Sequence, residues 1–451
     1  MTYKSTEELV FNLSEAVSSK GGVVYYVGGC VRDRLMNVES KDYDIEVHGL
    51  EASVLETILE SFGEVLYFGK LFGVYNIKGY NLDIALPRTE QINGCKHTDF
   101  LVDTNPFLGT EKAAERRDFT INSIMQNALS GEICDHFGGV NDIKSGIIRH
   151  VNDLTYTEDP LRVFRAAQFA ARLNFKIAPE TKKLCSSMYL GNISHERVFD
   201  EMKKALLQSD KPSLFFDNLM DMNCMKLWFP EIMELAEIEQ NPKYHPEGNV
   251  YIHTMQVLDE AAKRRNNAKN PLGLMLSALV HDLGKLVATE VVNGEIHAYA
   301  HESKGLPVVE KFLRRITNDK SLINYTLNMS ELHMKPNVLF HANASVKSTN
   351  KMFDASIEPY DLILLALCDI SATHSSDECQ SSEDFLTTRL EIYNNYMQRP
   401  YVMGRDLSDA GIPPGEYYRE ILEYAHKLRL AGIEKDSALK QVISYAKKVY
   451  E

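Results

Sequence analysis

Two aspartates, Asp42 and Asp44, stand two residues apart in "KDYDIEVHG", a run otherwise suited to a β-strand. Side chains at i and i+2 of a strand project from one face, so these carboxylates lie side by side, about 7 Å apart by strand rise. Carboxylates that close repel unless a cation lies between them. Magnesium, completed by oxygen ligands and substrate phosphates, is the usual one. A solvent-facing pair on an edge strand is the competing reading. Upstream, Gly28 and Gly29 follow "GVVYYV" and precede a helical segment. Backbone N–H groups at such a turn, with the helix N-terminus, can cradle phosphates. Asp83, in "YNLDIALPR", is a third strand carboxylate. It completes or supports a metal site, or it pairs with Arg88.

"RRDFTINS" adds Arg117 and Asp118. An arginine forks onto phosphate oxygens, and an aspartate accepts from ribose hydroxyls; the alternative is a surface ion-pair cluster at a helix start. "EDPLR" places Asp159 and Arg162 three apart, on one face of a helix. Asp159 ahead of Pro160 is also a good N-cap with proline at the first helical position.

A separate set of histidines and acids lies downstream. His281 and Asp282 adjoin in "LSALVHDLGK", which reads as a helix; His253 precedes them, and His297, His301 and His333 follow. Asp369 sits in the apolar "LLALCDIS", where an unpaired carboxylate is costly. Imidazoles and carboxylates together favour a divalent transition metal. His297 reads as a surface residue.

The elements that must position these groups are legible. Residues 6–20 form an amphipathic helix, "GVVYYVGG" a buried strand, "VRDRLMN" a helix, "YDIEVHG" a strand, and "EASVLETILESFG" a helix closed by Gly63. "EVLYFGKLFGVYNIKGYNLDIALPR" reads as strands with tight turns. This mixed pattern fits one domain of about 140 residues. The stretch between Arg88 and Arg117 reads as a long polar loop. From "TEDPLRVFRAAQFAARLNF" onward helical periodicity dominates, with Leu161, Phe164, Phe169 and Leu173 facing the core and Arg165 and Arg172 reaching RNA or solvent. "NPKYHPEGN" reads as a linker over 241–249.

At 451 residues the chain should hold three or four domains. Its apolar fraction of 44% and charged fraction of 25% are those of an ordinary globular protein. The net charge of −14 disfavours non-specific coating of nucleic acid. It leaves room for a local basic groove: Lys112, Arg116, Arg117, Lys144, Arg149, Arg162, Arg165, Arg172 and Lys176 lie in one region. A basic stripe over 110–180, facing the cleft, is expected. The N-terminus has no apolar run suited to a signal peptide, and no stretch approaches a membrane span. Seven cysteines without C-x-x-C spacing read as reduced thiols in the cytoplasm. The oligomeric state is open.

The string "GGCVRD…DYDIEV" resembles motif A of the class II CCA-adding tRNA nucleotidyltransferases and bacterial poly(A) polymerases, within the superfamily of DNA polymerase β. "RRDFTINS" resembles the second signature of that family, "DIKSGIIRHV" its hinge, and "EDPLR" its amino-acid template. The resemblance implies an α+β fold: a small mixed-sheet nucleotidyltransferase head (1–145), an all-α neck (146–240), an HD domain (241–380) and a helical tail (381–451). It implies magnesium on Asp42 and Asp44, supported by Asp83. Gly28, Gly29 and Arg32 would then position phosphates, and Arg117, Asp118 and Arg165 would bind the nucleotide. Asp159 and Arg162, with Glu158 beside them, would select the base. Arginine only donates and ionised aspartate only accepts, so the pair admits cytosine and adenine and clashes with uracil and guanine. The long loop goes with complete CCA addition. The implied partners are tRNA, CTP and ATP. The order of histidines and acids resembles the HD phosphohydrolases. This implies a transition metal on His253, His281, Asp282 and Asp369, with His301 and His333 as the extra pair if two metals bind, and phosphodiesterase or phosphatase work at that centre. The rivals are a poly(A) polymerase, an enzyme adding only CC or only A, and an HD phosphohydrolase with a nucleotide-sensing head.

Overall fold

The computed structural model describes residues 3–40, 42–68, 73–92, 100–243, 245–373 and 376–450. They form two compact units, Met1–Ala205 with Leu214–Leu227, and Leu206–Ser213 with Trp228–Glu451.

In the first unit, the Ser5 side chain accepts from the Glu8 N–H and starts α1 (Thr6–Ser18). There follow β1 (Val23–Val27), α2 (Gly29–Leu35), β2 (Tyr43–His48), α3 (Ala52–Phe62), β3 (Val65–Phe68), β4 (Val74–Ile77) and β5 (Leu82–Ala85). Next come β6 (Arg88–Ile92), β7 (Phe100–Thr104), α4 (Thr110–Glu115), α5 (Thr120–Ser123), β8 (Met125–Asn127) and β9 (Ile133–Cys134). One sheet has the order β3-β4-β5-β2-β1-β8-β9. Within it β2 and β5 pair parallel, with Asp44 in register with Asp83. The two-residue period of β2 divides its side chains. Ile45 and Val47 enter a core with Leu9 and Leu13 of α1 and Leu55 and Leu59 of α3, while Asp44, Glu46 and His48 take the opposite face.

The polar loop expected between Arg88 and Arg117 holds structure. β6 and β7 pair as an antiparallel ribbon, Arg88 opposite Thr104, and α4 follows; residues 93–99 lie outside the described residues. Strands of a two-stranded ribbon need little apolar patterning, so the usual signal is weak there. β8 and β9 were likewise unanticipated. Their hairpin is closed by Asn127, whose side-chain oxygen accepts from the N–H groups of Leu129 and Ser130.

The helical part continues with α6 (Gly139–Ser145), β10 (Ile147–Ile148), α7 (Asp153–Thr157), α8 (Leu161–Leu173), β11 (Lys176–Ile177), α9 (Pro179–Ser186) and α10 (His195–Gln208). The expected hinge string ends α6 at left-handed Gly146 and then pairs β10 with β11 in parallel. On α8, Leu161, Phe164 and Phe169 are buried and Leu173 is half-buried. The helix stops at Asn174, at φ 53°, a left-handed position asparagine tolerates.

Among the described residues the second unit is helical apart from one hairpin, Glu290–Val292 with Glu295–His297. Helices Val250–Arg264, Pro271–Val280, Lys320–Leu332 and Pro359–Thr373 make its centre. Residues 402–446 have a hydrophobic core of their own, with Leu407, Ile421 and Val442 buried. One expectation is corrected: the stretch Pro271–Ala288 is long and apolar enough to cross a membrane, yet 72% of it is buried inside the fold. An apolar helix at the middle of a bundle meets the same test because it is covered on every side.

Candidate active site

The exposed face of the sheet carries the first site. The Asp42 carboxylate accepts from the Asn81 amide, and Asp83, alongside Asp44 on the next strand, accepts from Asn76 at 3.2 Å. Burial, and then the charges of Asp83, Asp42 and Glu46, hold the Asp44 carboxyl above its ordinary value against the pull of Arg117. Crowded carboxylates with hard oxygen donors fit a divalent cation of the magnesium type. Gly28, at φ 70° and ψ −134°, caps α2; a Cβ there would lie 3.2 Å from the Arg117 guanidinium. The turn therefore requires glycine for its backbone angles, and a side chain there would also crowd the arginine.

Glu46 has a position the sequence reading missed. It follows Asp44 by two residues and is 1% exposed. Its Oε1 accepts from Arg117 at 2.9 Å and Arg116 at 3.1 Å, and its Oε2 lies 3.3 Å from His48 Nε2. Burial would raise this carboxyl, but Arg117, His48 and Arg116 bring it down to about 2. Glu46 thus fixes the paired arginines beside the aspartates. The signal was available: a third acid on the same face, and two adjacent arginines to answer it.

A cleft of about 470 Å³ opens beside Asp44 and Gly28, lined by Arg32, Arg116, Arg117, Arg162, Arg165, Arg172 and Arg197 together with Asp118 and Asp159. Of the expected basic stripe, five arginines line this cleft. Lys112, Lys144, Arg149 and Lys176 do not, and Arg149 pairs with Asp142 and Glu180. Arg32 is anchored by Asp33 and by Asn122 Oδ1 at 2.8 Å. Glu158, at the C-terminus of α7, is exposed and outside the cleft lining.

Asp118 differs from expectation. Its Oδ1 accepts from Phe119 N–H at 2.8 Å and Asn122 Nδ2 at 3.0 Å, and its Oδ2 accepts from Arg165 Nε at 2.8 Å and from Arg165 Nη2. A carboxylate has about four acceptor positions, and here protein donors take them, so none is left for a ribose hydroxyl. Burial opposes ionisation, yet Arg165 and Asn122 hold this carboxyl below its usual range. Asp118→Ala strands the Arg165 guanidinium and two N–H donors. It is expected to destabilise the first unit by about 3–5 kcal/mol, read as a lowered urea midpoint.

Asp159 and Arg162 line the cleft without pairing side chain to side chain. Asp159 Oδ1 accepts from Leu161 N–H at 3.1 Å and Oδ2 from Arg197 Nη2 at 2.8 Å. Arg162 donates to the carbonyls of Thr155 at 2.7 Å and Arg116 at 2.8 Å. Capping and facing the cleft therefore coexist at Asp159.

The second unit gathers the other set around a cavity of about 380 Å³. His281 and Asp282 occupy the turn closing helix Pro271–Val280 rather than its interior. His253 Nε2 lies 3.1 Å from Asp369 Oδ1 and 3.4 Å from His281 Nε2. Asp282 Oδ2 faces His281 Nε2 at 3.3 Å, and its Oδ1 faces His301 Nε2 at 3.1 Å and His333 Nε2 at 3.8 Å. Every imidazole is fixed from behind. His281, His301 and His333 donate from Nδ1 to the carbonyls of Ala278, Ala298 and Ser330, and His253 Nδ1 lies 2.9 Å from Glu247 Oε1. The Nε2 atoms are thereby turned inward, the arrangement metal-bound histidines need. Burial and the neighbouring His281 push His333 down to about 3, which keeps its lone pair available. Among the described residues three triads of ligand atoms result, His253–His281–Asp369 and Asp282–His301–His333, with Asp282 turned toward both, and His245–Glu247–His253 sharing His253 with the first. The donor set fits a transition-metal centre. His301 can come this close because Gly284 and Gly305 meet there; a Cβ on Gly284 would lie 2.0 Å from the His301 carbonyl oxygen.

Two readings are corrected here. The stretch taken as a linker supplies His245 and Glu247, bonded at 2.9 Å, and His245 lines the cavity. His297, taken as a surface residue, also lines it and stacks on Tyr299 with ring centroids 4.8 Å apart.

A family profile described as "Poly A polymerase head domain" matches residues 24–149, and another, "Probable RNA and SrmB- binding site of polymerase A", matches residues 174–235. The chain is 36% identical over 318 residues to a multifunctional CCA protein of Actinobacillus pleuropneumoniae serotype 5b, covering 69% of this chain and 75% of that one. It is 37% identical over 355 residues to a multifunctional CCA protein of Shewanella frigidimarina, covering 76% and 82%. The chain belongs to the CCA-adding and poly(A) polymerase family. It is a nucleotidyltransferase of that family, and such enzymes use divalent metal ions. The family fold extends beyond the profile matches. A CCA-adding enzyme of Thermotoga maritima, solved with tRNA, superposes with a TM-score of 0.65 at 21% identity, over 97% of this chain and 94% of that one.

Proposed function

We propose that this nucleotidyltransferase adds C, C and A to the 3′ end of tRNA from CTP and ATP, without a nucleic-acid template. The observation that carries this reading is the cleft itself. Two strand carboxylates, Asp44 and Asp83, with Asp42 immediately ahead of β2, accompany an arginine-lined pocket that Asp44 itself lines and whose wall presents Asp159 and Arg162. Asp42 and Asp44, supported by Asp83, would hold magnesium. The chemistry magnesium supplies when bound is activation of the terminal hydroxyl and neutralisation of the departing pyrophosphate. The chain's own part is positioning. Gly28 keeps the backbone clear for phosphates, Glu46 holds Arg116 and Arg117 beside them, and Asp118 holds Arg165 on the cleft wall. Asp159 retains acceptor capacity and Arg162 retains donors, so together they read an exocyclic amino group and a neighbouring ring nitrogen. We divide the chain into head (1–145), neck (146–240), HD domain (241–380) and tail (381–451). We place the protein in the cytoplasm, in keeping with the free cysteines at 30, 134, 185, 224, 368 and 379.

The inward-turned imidazoles support a second activity. We assign His253, His281, Asp282 and Asp369, with His301 and His333, to a transition-metal HD centre acting on phosphoesters. Such a metal supplies an activated water, while Lys285, 2.7 Å from Asp282 Oδ2, contributes the local positive charge.

The test is incorporation on tRNA lacking its 3′ end, with each of the four triphosphates offered separately. Cytidine is expected first, and adenosine only after two cytidines. Adenosine added alone to any RNA end would mark a poly(A) polymerase instead.

A further inference from the structure

We propose that Arg197, on α10, is a positioning residue that sets base selection by locking the Asp159 carboxylate. The inference rests on reading the cleft as the nucleotidyl-transfer site. Arg197 lies outside the "EDPLR" segment, yet its Nη2 donates to Asp159 Oδ2 at 2.8 Å and it lines the same cleft. On the other oxygen Asp159 accepts from Leu161 N–H at 3.1 Å. One donor on each oxygen fixes the carboxylate plane and leaves each oxygen an acceptor position. An incoming base must then offer a donor, which cytosine and adenine do through their amino groups. Uracil and guanine offer a carbonyl at that place.

Without Arg197, the carboxylate is held at one oxygen only and lies among other guanidinium groups. Arg162 has N–H donors beyond the two it gives to Thr155 and Arg116, and Arg165 is near enough for Asp159 to act on its charge. A released Asp159 turns toward these cations, and its acceptor is then lost to the base. The amino-bearing nucleotides lose their advantage, while the carbonyl-bearing ones lose nothing.

The experiment measures kcat/KM for CTP, ATP, UTP and GTP on tRNA lacking its terminal nucleotides, for wild type, Arg197→Gln, Arg197→Lys, Asp159→Asn and the double variant Asp159→Asn with Arg197→Gln. Arg197→Gln is expected to lower CTP and ATP use about tenfold or more with UTP and GTP unchanged. Arg197→Lys, which keeps a cationic donor, should restore most of the discrimination. In the Asp159→Asn background, Arg197→Gln should change discrimination by less than about twofold, because both act through one carboxylate. Equal loss for all four triphosphates, or additive effects in the double variant, would mean Arg197 merely supports the fold and would overturn the proposal. Should Arg197→Gln fail to fold by circular dichroism, Arg197→Lys decides: discrimination lost in a folded Lys variant, with CTP use matching UTP use, contradicts the role of the cation. Wild type that adds no cytidine removes the functional reading, and this inference with it.

Discussion

Asp44→Asn is expected to abolish nucleotide addition while making the first unit slightly more stable. The substitution keeps the strand, the side-chain size and the pairing of β2 with β5. It removes one negative charge from a face that also carries Asp42, Asp83 and Glu46. For stability, that charge is a burden. Burial and the neighbouring carboxylates hold the Asp44 carboxyl above its ordinary value, so folding disfavours its ionised form. A group with a raised carboxyl pKa lowers stability as pH rises past the unfolded value. A neutral isostere relieves that at neutral pH. On the proposed mechanism catalysis needs the same charge, because crowded carboxylates would attract the divalent ions. Cytidine incorporation on tRNA lacking its 3′ end should fall on the order of a thousandfold or more, and thermal melting should move up rather than down. Incorporation within about tenfold of wild type would remove Asp44 from the reaction. A large loss of stability would show that the aspartate served the fold.

These opposed signs explain why the head was legible in the sequence. Aspartates fit strands poorly, so two of them at period two inside an apolar run conflict with local structure, and such conflicts concentrate at working sites. The glycine pair was legible for the same reason. Glu46 was in view as a third acid at the same period; that Arg116 and Arg117 answer it is settled only by tertiary folding. Spacing alone linked Asp159 with Arg162, although Asp159 lies just ahead of α8 rather than on its face. Their partners Arg197 and Thr155 are joined to them only by tertiary folding, which no local period reports. Asp118 lines the cleft with its oxygens already engaged by Phe119, Asn122 and Arg165; sequence shows which groups a carboxylate could accept from but not how many have already reached it. His245 and Glu247 were hidden by their neighbours: two prolines and a glycine read as a linker, although Glu247 in this stretch holds His253 Nδ1 from behind at 2.9 Å.

The proposed HD centre gives the second large effect, in metal content. Asp282 is buried, belongs to one triad through Oδ1 and faces His281 and His253 of the other with Oδ2, a placement that lets one carboxylate serve two ions at once. Its carboxyl stays far below the usual range although burial opposes ionisation, with Lys285 and His281 as the chief causes, and an ionised bridge is what two cations require. After loading with manganese, nickel or cobalt and gel filtration, the wild-type second unit should retain about two ions. Asp282→Asn should lose both, because an amide bridges two cations poorly and its N–H₂ faces one of them. His301→Ala with His333→Ala should lose one, since His253, His281 and Asp369 survive as a triad. Phosphoester hydrolysis at this centre should fall on the order of a hundredfold or more in either variant. Cytidine incorporation should persist in both, because none of these residues belongs to the first unit. One ion in wild type, unchanged when His301 and His333 are removed, would reduce the centre to the first triad. Asp282 would then be a ligand to one metal, with Lys285 as its counter-charge.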